Sequence, residues 1–213
     1  MLPDKKCWEN IMEEMDLAKI IKKVQTEDLS DSMLKKIVAF AKKVKSPELA
    51  YEIACVTDGE TRQQMEKIVL SQKNPLVCAM YATDIYPYAD FEKHKKIIFA
   101  SKDAESICYL LNRIIPTKKD LETAQKIIVE KKDPKWAFEF ADNVDGADYD
   151  LMAKIVINSK DEKYIKKFKR ALKSWSGLSD KDMIRIGKKL NLAIGRHTRA
   201  MRRQTTSIDE FNK

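Results

Sequence analysis

Histidine and cysteine are the residues of this chain best suited to catalysis or metal binding, and the sequence holds few of them. There are two histidines, His94 and His197. A catalytic or metal site needs such residues at fixed spacings, because their side chains must converge on one atom or ion. The four cysteines are Cys7, Cys55, Cys78 and Cys108. They form no C-x-x-C pair and no metal-ligand spacing, so we interpret them as small buried thiols in a reducing compartment.

The surroundings of the histidines also argue against catalysis. Lys93, Lys95 and Lys96 flank His94, which favours a surface histidine. The chain contains no H-E-x-x-H, no G-x-S-x-G, no phosphate-binding loop and no dinucleotide-binding fingerprint. We therefore expect a protein that is not an enzyme and that uses no metal and no cofactor. An enzyme with an unfamiliar site is the weakest alternative.

A helical repeat of 28 to 30 residues must position every side chain of interest. The repeat is marked by turns at Ser46-Pro47, Asn74-Pro75, Asp103-Ala104, Asp133-Pro134 and Asp161-Glu162, at intervals of 28, 29, 30 and 28 residues. Ser, Asn or Asp followed by Pro is typical of a helix start, because the side chain caps free N–H groups and Pro suits the first helical position. The sequence thus predicts five helical hairpins.

Apolar residues recur in the same register. Six residues before each turn stand Phe40, Ile68, Ile97, Ile127 and Ile155. After each turn come Ala50, Cys78, Ile107, Ala137 and Ile165, followed four residues later by Ala54, Ala82, Leu111, Ala141 and Lys169. Small residues four apart on one face let two helices approach closely. Lys169 breaks the pattern. Gly59 and Gly146 stand where a helix C-cap is expected.

These patterns predict an all-α protein, a right-handed α-solenoid of about five helical hairpins with a capping helix at each end. We assign an N-terminal capping helix to residues 1–30, the hairpin array to 31–175, a basic helical segment to 176–203 and a mobile tail to 204–213. No segment has the ~18–20 uncharged apolar residues of a membrane span, and the first residues lack the apolar run of a signal peptide. A cytoplasmic protein is expected.

The charge of the chain is concentrated in its last quarter. Residues 161–203 hold 14 Lys and Arg against four Asp and Glu, whereas the rest holds 27 against 29. Such a patch attracts polyanions. The candidate partner- or phosphate-binding residues are Lys166, Lys167, Lys169, Arg170, Lys173, Lys181, Arg185, Lys188, Lys189, Arg196, Arg199, Arg202 and Arg203. Candidate aromatic contacts are Tyr86, Tyr88 and Trp175. The alternative is that Trp175 belongs to the core and that the bases form a solvated face.

The turns Ala100-Ser101-Lys102-Asp103 and Asn158-Ser159-Lys160-Asp161 resemble those of short α-solenoid families. These are HEAT-like arrays and the ~30-residue helical-hairpin repeats of bacterial and phage-associated proteins, and the resemblance covers residues 31–175. It implies a curved scaffold that binds a macromolecule and supplies no catalytic residue. A protein partner is the first hypothesis. A nucleic-acid-binding solenoid that contacts phosphates through residues 161–203, or a phage-type inhibitor of a nucleic-acid-handling complex, is the alternative.

Overall fold

The computed structural model describes residues 16–172, 174–175 and 178–193, and these residues form helices joined by short turns, with no strand. The predicted all-α class is confirmed for this part of the chain. The helices are α1 (Leu17–Thr26), α2 (Asp31–Val44), α3 (Pro47–Val56), α4 (Gly59–Gln72), α5 (Pro75–Asp84), α6 (Phe91–Ser101), α7 (Ala104–Leu111), α8 (Lys118–Lys131), α9 (Pro134–Asn143), α10 (Tyr149–Ser159) and α11 (Glu162–Ala171), then α12 at 180–193. Within the described ranges, no helix is both long and apolar enough to cross a membrane. The predicted tail, and the predicted N-terminal cap up to residue 15, lie outside them.

The helix starts at the hairpin turns agree with the sequence prediction. Three second helices, α3, α5 and α9, begin at a proline that follows the N-cap residues Ser46, Asn74 and Asp133. Each cap side chain accepts an N–H of the first helical turn, as in the 3.2 Å bond from Leu49 N to Ser46 Oγ. The bond satisfies a backbone donor that the helix leaves unpaired.

The residue before each cap is a lysine in the left-handed backbone conformation. The five lysines are Lys45, Lys73, Lys102, Lys132 and Lys160, with φ between 52° and 59°. No other non-glycine residue in the described segments has a positive φ. Helices often end in this conformation, and glycine usually occupies the position because it has no Cβ. Here a long charged side chain takes the place of glycine at every hairpin turn.

The prediction that Gly59 and Gly146 are C-caps is wrong. Gly59 is the first residue of α4, after the N-cap Asp58. Gly146 follows α9 in the link to α10, two residues beyond the C-cap Val144. Its φ is 82°, and a Cβ at this position would lie 2.9 Å from Cδ1 of Leu121. Both the backbone conformation and the close approach therefore require glycine at 146.

The core follows the repeat, with one position in the second helices that the sequence pattern did not identify. The second helices bury their small residues as the register implies. Three residues after the first of these comes a larger residue that is 0% exposed in every repeat: Ile53, Tyr81, Leu110, Phe140 and Phe168. In the first helices, the fully buried position is five residues before the turn: Ala41, Val69, Ile98, Ile128 and Val156, each 0% exposed. The position six residues before the turn is only partly buried in the first three repeats.

The chain divides into two compact units, of which the first extends to Leu110. In this unit, α3 packs most extensively against α4, and α5 against α6. The links that follow α3 and α5 join these pairs, and hairpin-turn neighbours such as α2 and α3 touch less. Helices two apart in the chain also touch, because α3 contacts α5 and α4 contacts α6. Tyr51 Oη donates to Asp84 Oδ2 at 2.7 Å and ties α3 to α5.

The second unit begins at Leu111 and is built in the same way. Here α9 packs most extensively against α10, while α8 contacts α10 and α9 contacts α11. Its aromatic core is continuous. The Phe168 ring meets Phe138 and Trp175 edge-on, with ring centroids 6.4 and 4.8 Å apart. This core fixes one face of α11 and leaves the opposite face to solvent.

Candidate polyanion interface

Half of the ten residues of α11 are basic, and all of these bases are exposed. The helix is anchored by Ile165 and Phe168, which are 1% and 0% exposed. Residues three apart share a helix face, so these two anchors turn the other residues outward. The exposed bases are Lys163, Lys166, Lys167, Lys169 and Arg170. The helix thus presents a dense positive face on a rigid support.

Neighbouring groups neutralise little of this charge. Lys166 Nζ lies 2.7 Å from Glu162 Oε2. Lys163 and Lys167 lie over the Tyr164 ring, 5.4 and 5.6 Å from its centroid. A ring face orients an ammonium group without cancelling its charge. The face therefore remains available to a polyanion.

The predicted bases of α12 are arranged differently. Their helix is anchored by Ile186 and Leu190, and Lys181, Arg185, Lys188 and Lys189 are exposed. The Arg185 guanidinium forms ion pairs with Asp150 of α10 and with Asp182. Lys189 Nζ lies 3.4 Å from Asp150 Oδ1. A hydrogen bond from Ser179, with the charge of Arg185 beside it, lowers the pKa of Asp182. Two of the four bases thus hold α12 against α10.

The structure corrects the proposed role of Trp175. The side chain is 8% exposed and belongs to the core of the second unit. Its Nε1 donates to Asp142 Oδ1 at 2.8 Å, and its ring stacks on Tyr149 with centroids 4.8 Å apart. No ring face is open to a base or a partner, so the core interpretation holds. The candidate residues Lys173, Arg196, Arg199, Arg202 and Arg203 lie outside the described residues.

The two other candidate aromatics are solvent-exposed but belong to the first unit. Tyr86 and Tyr88 are 71% and 72% exposed and lie in the link between α5 and α6. The Arg62 guanidinium lies 5.0 Å from the centroid of the Tyr88 ring. Tyr86 and Tyr88 therefore lie in a different part of the sequence from the basic helices α11 and α12.

The prediction that His94 is a surface residue is wrong. The side chain is 0% exposed and stacks on Tyr81, with ring centroids 5.0 Å apart. Its Nε2 lies 3.1 Å from Glu66 Oε1, and Nδ1 has no hydrogen-bond partner among the described residues. Burial lowers the pKa of His94, against the opposing effects of Glu66 and Asp90. The repeat register could have placed it, because His94 occupies the core position held elsewhere by Ile37, Met65, Ala124 and Met152.

The cysteine prediction holds for two of the four residues. Cys78 and Cys108 are buried, whereas Cys55 is exposed and Cys7 lies outside the described residues. Burial raises the pKa of the Cys78 thiol to about 11. Although part of Cys55 is exposed, the partial loss of water around its thiol also raises its pKa. Both thiols are therefore protonated near neutral pH and are weak nucleophiles.

Two features of the repeat are not predicted by the sequence pattern. One is the row of left-handed lysines at the hairpin turns. The other is a hydrogen bond between the N-cap residue of a first helix and a side chain of the preceding first helix, which occurs in two repeats. Asp90 N donates to Glu66 Oε1, and Asp148 N donates to Gln125 Oε1, both at 2.6 Å. Glu66 and Gln125 each lie two residues before the apolar residue of their repeat, Ile68 or Ile127, so the repeat register relates the two.

Comparisons with known proteins do not identify a family for this chain. No protein-family model, no curated protein and no solved structure matches the chain. In the described part of the chain, no group of three or more His, Cys, Asp and Glu side chains could hold a metal ion.

Proposed function

We propose that the chain is a non-enzymatic, macromolecule-binding α-solenoid of stacked helical hairpins, and that its basic α11 face binds the phosphate backbone of nucleic acid. The observation that carries the proposal is the exposed lysine and arginine face of α11. A face of like charges repels itself and weakens its own helix, so it is best explained by a partner of opposite charge.

The composition of the α11 face favours phosphates over a protein surface. The cores of protein interfaces are rich in apolar and aromatic groups and poor in lysine. Four of the five bases on this face are lysines, and Ile165 and Phe168 are turned into the core. A phosphate backbone needs only positive charge at the right spacing, and its binding releases condensed counterions.

The α11 face has no open aromatic ring, which argues against a mode of binding in which bases stack on the protein. Single-strand binders stack bases on open aromatic side chains. Here Tyr164 is covered by Lys163 and Lys167, and Trp175 is buried. We therefore propose contact with the backbone, independent of nucleotide sequence, and expect duplexes to bind as well as single strands.

The test is a salt series of binding to short DNA and RNA duplexes by the full chain and by the variant Lys166→Gln/Lys169→Gln/Arg170→Gln. Lys163 and Lys167 are left in place because they cover Tyr164. We expect the slope of log K against log salt to decrease by about 2.7 for DNA if all three residues contact phosphates, because each contact contributes about 0.9. Weak binding that the variant does not change would contradict the proposal.

A matched control removes the same charge elsewhere. Lys19, Lys22 and Lys35 are exposed residues of the first unit, on α1 and α2. The variant Lys19→Gln/Lys22→Gln/Lys35→Gln has the same net charge as the α11 variant. We expect it to keep most of the affinity and of the salt slope. An equal loss in both variants would mean that net charge alone, and not the α11 face, governs binding.

A protein partner is the second candidate, and a different surface favours it. Tyr86 and Tyr88 are exposed in the link between α5 and α6. Tyrosine is enriched at the energetic centres of protein interfaces, because its ring buries a large area with little loss of entropy. The variant Tyr86→Ser/Tyr88→Ser would abolish capture of a protein partner while leaving nucleic-acid binding unchanged.

A further inference from the structure

The lysines of the hairpin turns form a second charged feature, distinct from the α11 face. In the first unit they are Lys45, Lys73 and Lys102, one at the end of each first helix, and all three are exposed. They occur at the same register of three successive repeats. Because α3 contacts α5 and α4 contacts α6, we place these turns one after another along one edge of the unit, the hairpin-turn edge.

The turn does not need a lysine side chain for its own structure. In the Ser101-Lys102-Asp103 turn, Ser101 Oγ donates to Ile98 O at 2.7 Å and accepts from Asp103 N at 3.1 Å. The turn at Ser159-Lys160-Asp161 repeats these bonds at 2.7 and 3.1 Å. In these two turns, serine and aspartate define the backbone through their own bonds. At the Lys45 and Lys73 turns, the side chains of Ser46 and Asn74 accept N–H groups of the following helix.

The backbone conformation makes lysine a costly choice at this position. A positive φ brings Cβ close to the neighbouring carbonyl oxygen, a strain that glycine avoids. The field of the helix C-terminus favours a positive charge, and a lysine within the last turn would satisfy it without adopting a positive φ. Strain retained at the same position of every repeat points to a use of the side chain outside the fold.

The charges on two of these lysines are also uncompensated. No ion pair within the described residues involves Lys45 or Lys73. Glu48, the acid nearest in sequence to the Lys45 turn, accepts hydrogen bonds from Ser46 and from Asn74, at 3.0 and 3.1 Å. This acid therefore ties two turns together through neutral groups.

We infer that the hairpin-turn edge of the first unit is a second surface for a nucleic-acid backbone, with Lys45 and Lys73 each contacting a phosphate. Positive charges repeated at the same register of successive hairpins suit an extended polymer with a negative charge on every nucleotide. Acidic protein surfaces have no such regular spacing of charge. The inference shares its partner class with the proposed function but involves other residues in the other unit.

The glycine preference of these positions supplies a clean test. The full-chain variant Lys45→Gly/Lys73→Gly removes two charges where the backbone already has the conformation that glycine favours. We expect its unfolding temperature to equal or exceed that of the parent chain. Its affinity for a short DNA duplex should fall, with a salt slope lower by about 1.8 if two phosphate contacts are lost.

The matched control removes two exposed lysines from the middle of first helices. Lys67→Gln/Lys96→Gln has the same net charge as the glycine variant, at positions away from the turns. We expect this control to keep the parent salt slope. Parent-like binding by the glycine variant, or an equal loss in the control, would overturn the inference.

The α11 variant, measured in the same series, separates the two proposals. Loss in the glycine variant alone would support the turn surface and contradict the α11 face as the main site. Loss in the α11 variant alone would do the reverse. Loss in both, with the lysine-to-glutamine controls unaffected, would support both surfaces. A parent chain that binds no duplex even at low salt would overturn both.

Discussion

The links that follow α5 and α9 close in the same way but with different chemistry. Each ends at an aspartate that caps the next helix, and the N–H of that aspartate donates to a side-chain oxygen at 2.6 Å. In the first unit the oxygen belongs to Glu66, which also binds the buried His94. In the second unit it belongs to Gln125, and Met152 occupies the place of His94. The acceptor and the buried side chain can thus titrate in the first unit, whereas the residues at the same positions of the second unit are neutral.

The comparison teaches that the repeat conserves a bond geometry and not a residue type. A carboxylate and an amide both offer an oxygen acceptor, so either can satisfy the N–H at the start of the helix. The same holds for the core position, where His94 and Met152 fill equivalent sites at 0% exposure. Because histidine is polar, its burial requires Glu66, whereas methionine requires no partner.

The largest expected effect comes from removing the acceptor in the first unit. Glu66→Ala leaves both the Asp90 N–H and the buried His94 Nε2 without a partner. We expect the free energy of unfolding of the first unit to fall by about 2–3 kcal/mol, because buried donors lose their bonds. Chemical denaturation measures this change. Glu66→Gln keeps an oxygen acceptor and should cost clearly less. Equal losses in the two variants would mean that the charge, and not the acceptor, holds the link.

A second effect tests the close approach in the other link. Gly146→Ala adds a Cβ at φ 82° and within 2.9 Å of Leu121 Cδ1. We expect a loss of about 2 kcal/mol from backbone strain and crowding. Gly59→Ala is the matched control, because φ there is 52° and no atom lies within 4 Å of the added Cβ. Thermal unfolding of both variants should rank Gly146→Ala as the less stable.

A smaller loss of stability is expected when the neutral acceptor of the second unit is removed. Gln125→Ala removes one acceptor from Asp148 N and leaves no buried side chain unsatisfied. We expect a loss of about 1 kcal/mol, the typical net value of one hydrogen bond. Hydrogen exchange at the Asp148 amide should accelerate, while the Asp90 amide keeps its protection. Faster exchange at both amides would contradict a local role for this bond.

The smallest expected effect is a dependence of stability on pH. It arises at the link that contains Glu66 and His94, and its counterpart with Gln125 and Met152 has no titratable group in these positions. Burial lowers the pKa of His94 in the folded unit, so the unfolded chain binds the proton first as pH falls below about 6.5. The first unit should therefore lose stability from neutral pH toward pH 5. His94→Met, which copies Met152, should reduce that loss, as unfolding curves at the two pH values would report. An unchanged pH dependence in this variant would contradict the assignment.

The helix starts and the small residues of the second helices could be predicted from the sequence, because their signals are local. The caps Ser46, Asn74 and Asp133 were identified from the proline that follows each of them. The small residues of the second helices were identified from their spacing. Both signals depend on neighbours within one or two helical turns, where helix periodicity fixes the geometry.

The features that the sequence did not reveal depend on partners far along the chain or on an unexpected residue type. His94 looked exposed because lysines flank it, and its partner Glu66 lies 28 residues away. Trp175 lay in a basic segment, but Asp142, 33 residues away, draws its indole into the core. Glycine is the residue expected at left-handed helix caps, whereas this chain has lysine at those positions.

The most direct test of the account is a lysine footprint of the full chain, by acetylation with and without a short DNA duplex at low salt. The account predicts protection of Lys166, Lys167 and Lys169 on α11 and of Lys45 and Lys73 at the turns. Lys67 and Lys96 should react equally in both samples. Uniform protection of all lysines, or protection of none, would contradict nucleic-acid binding through these surfaces.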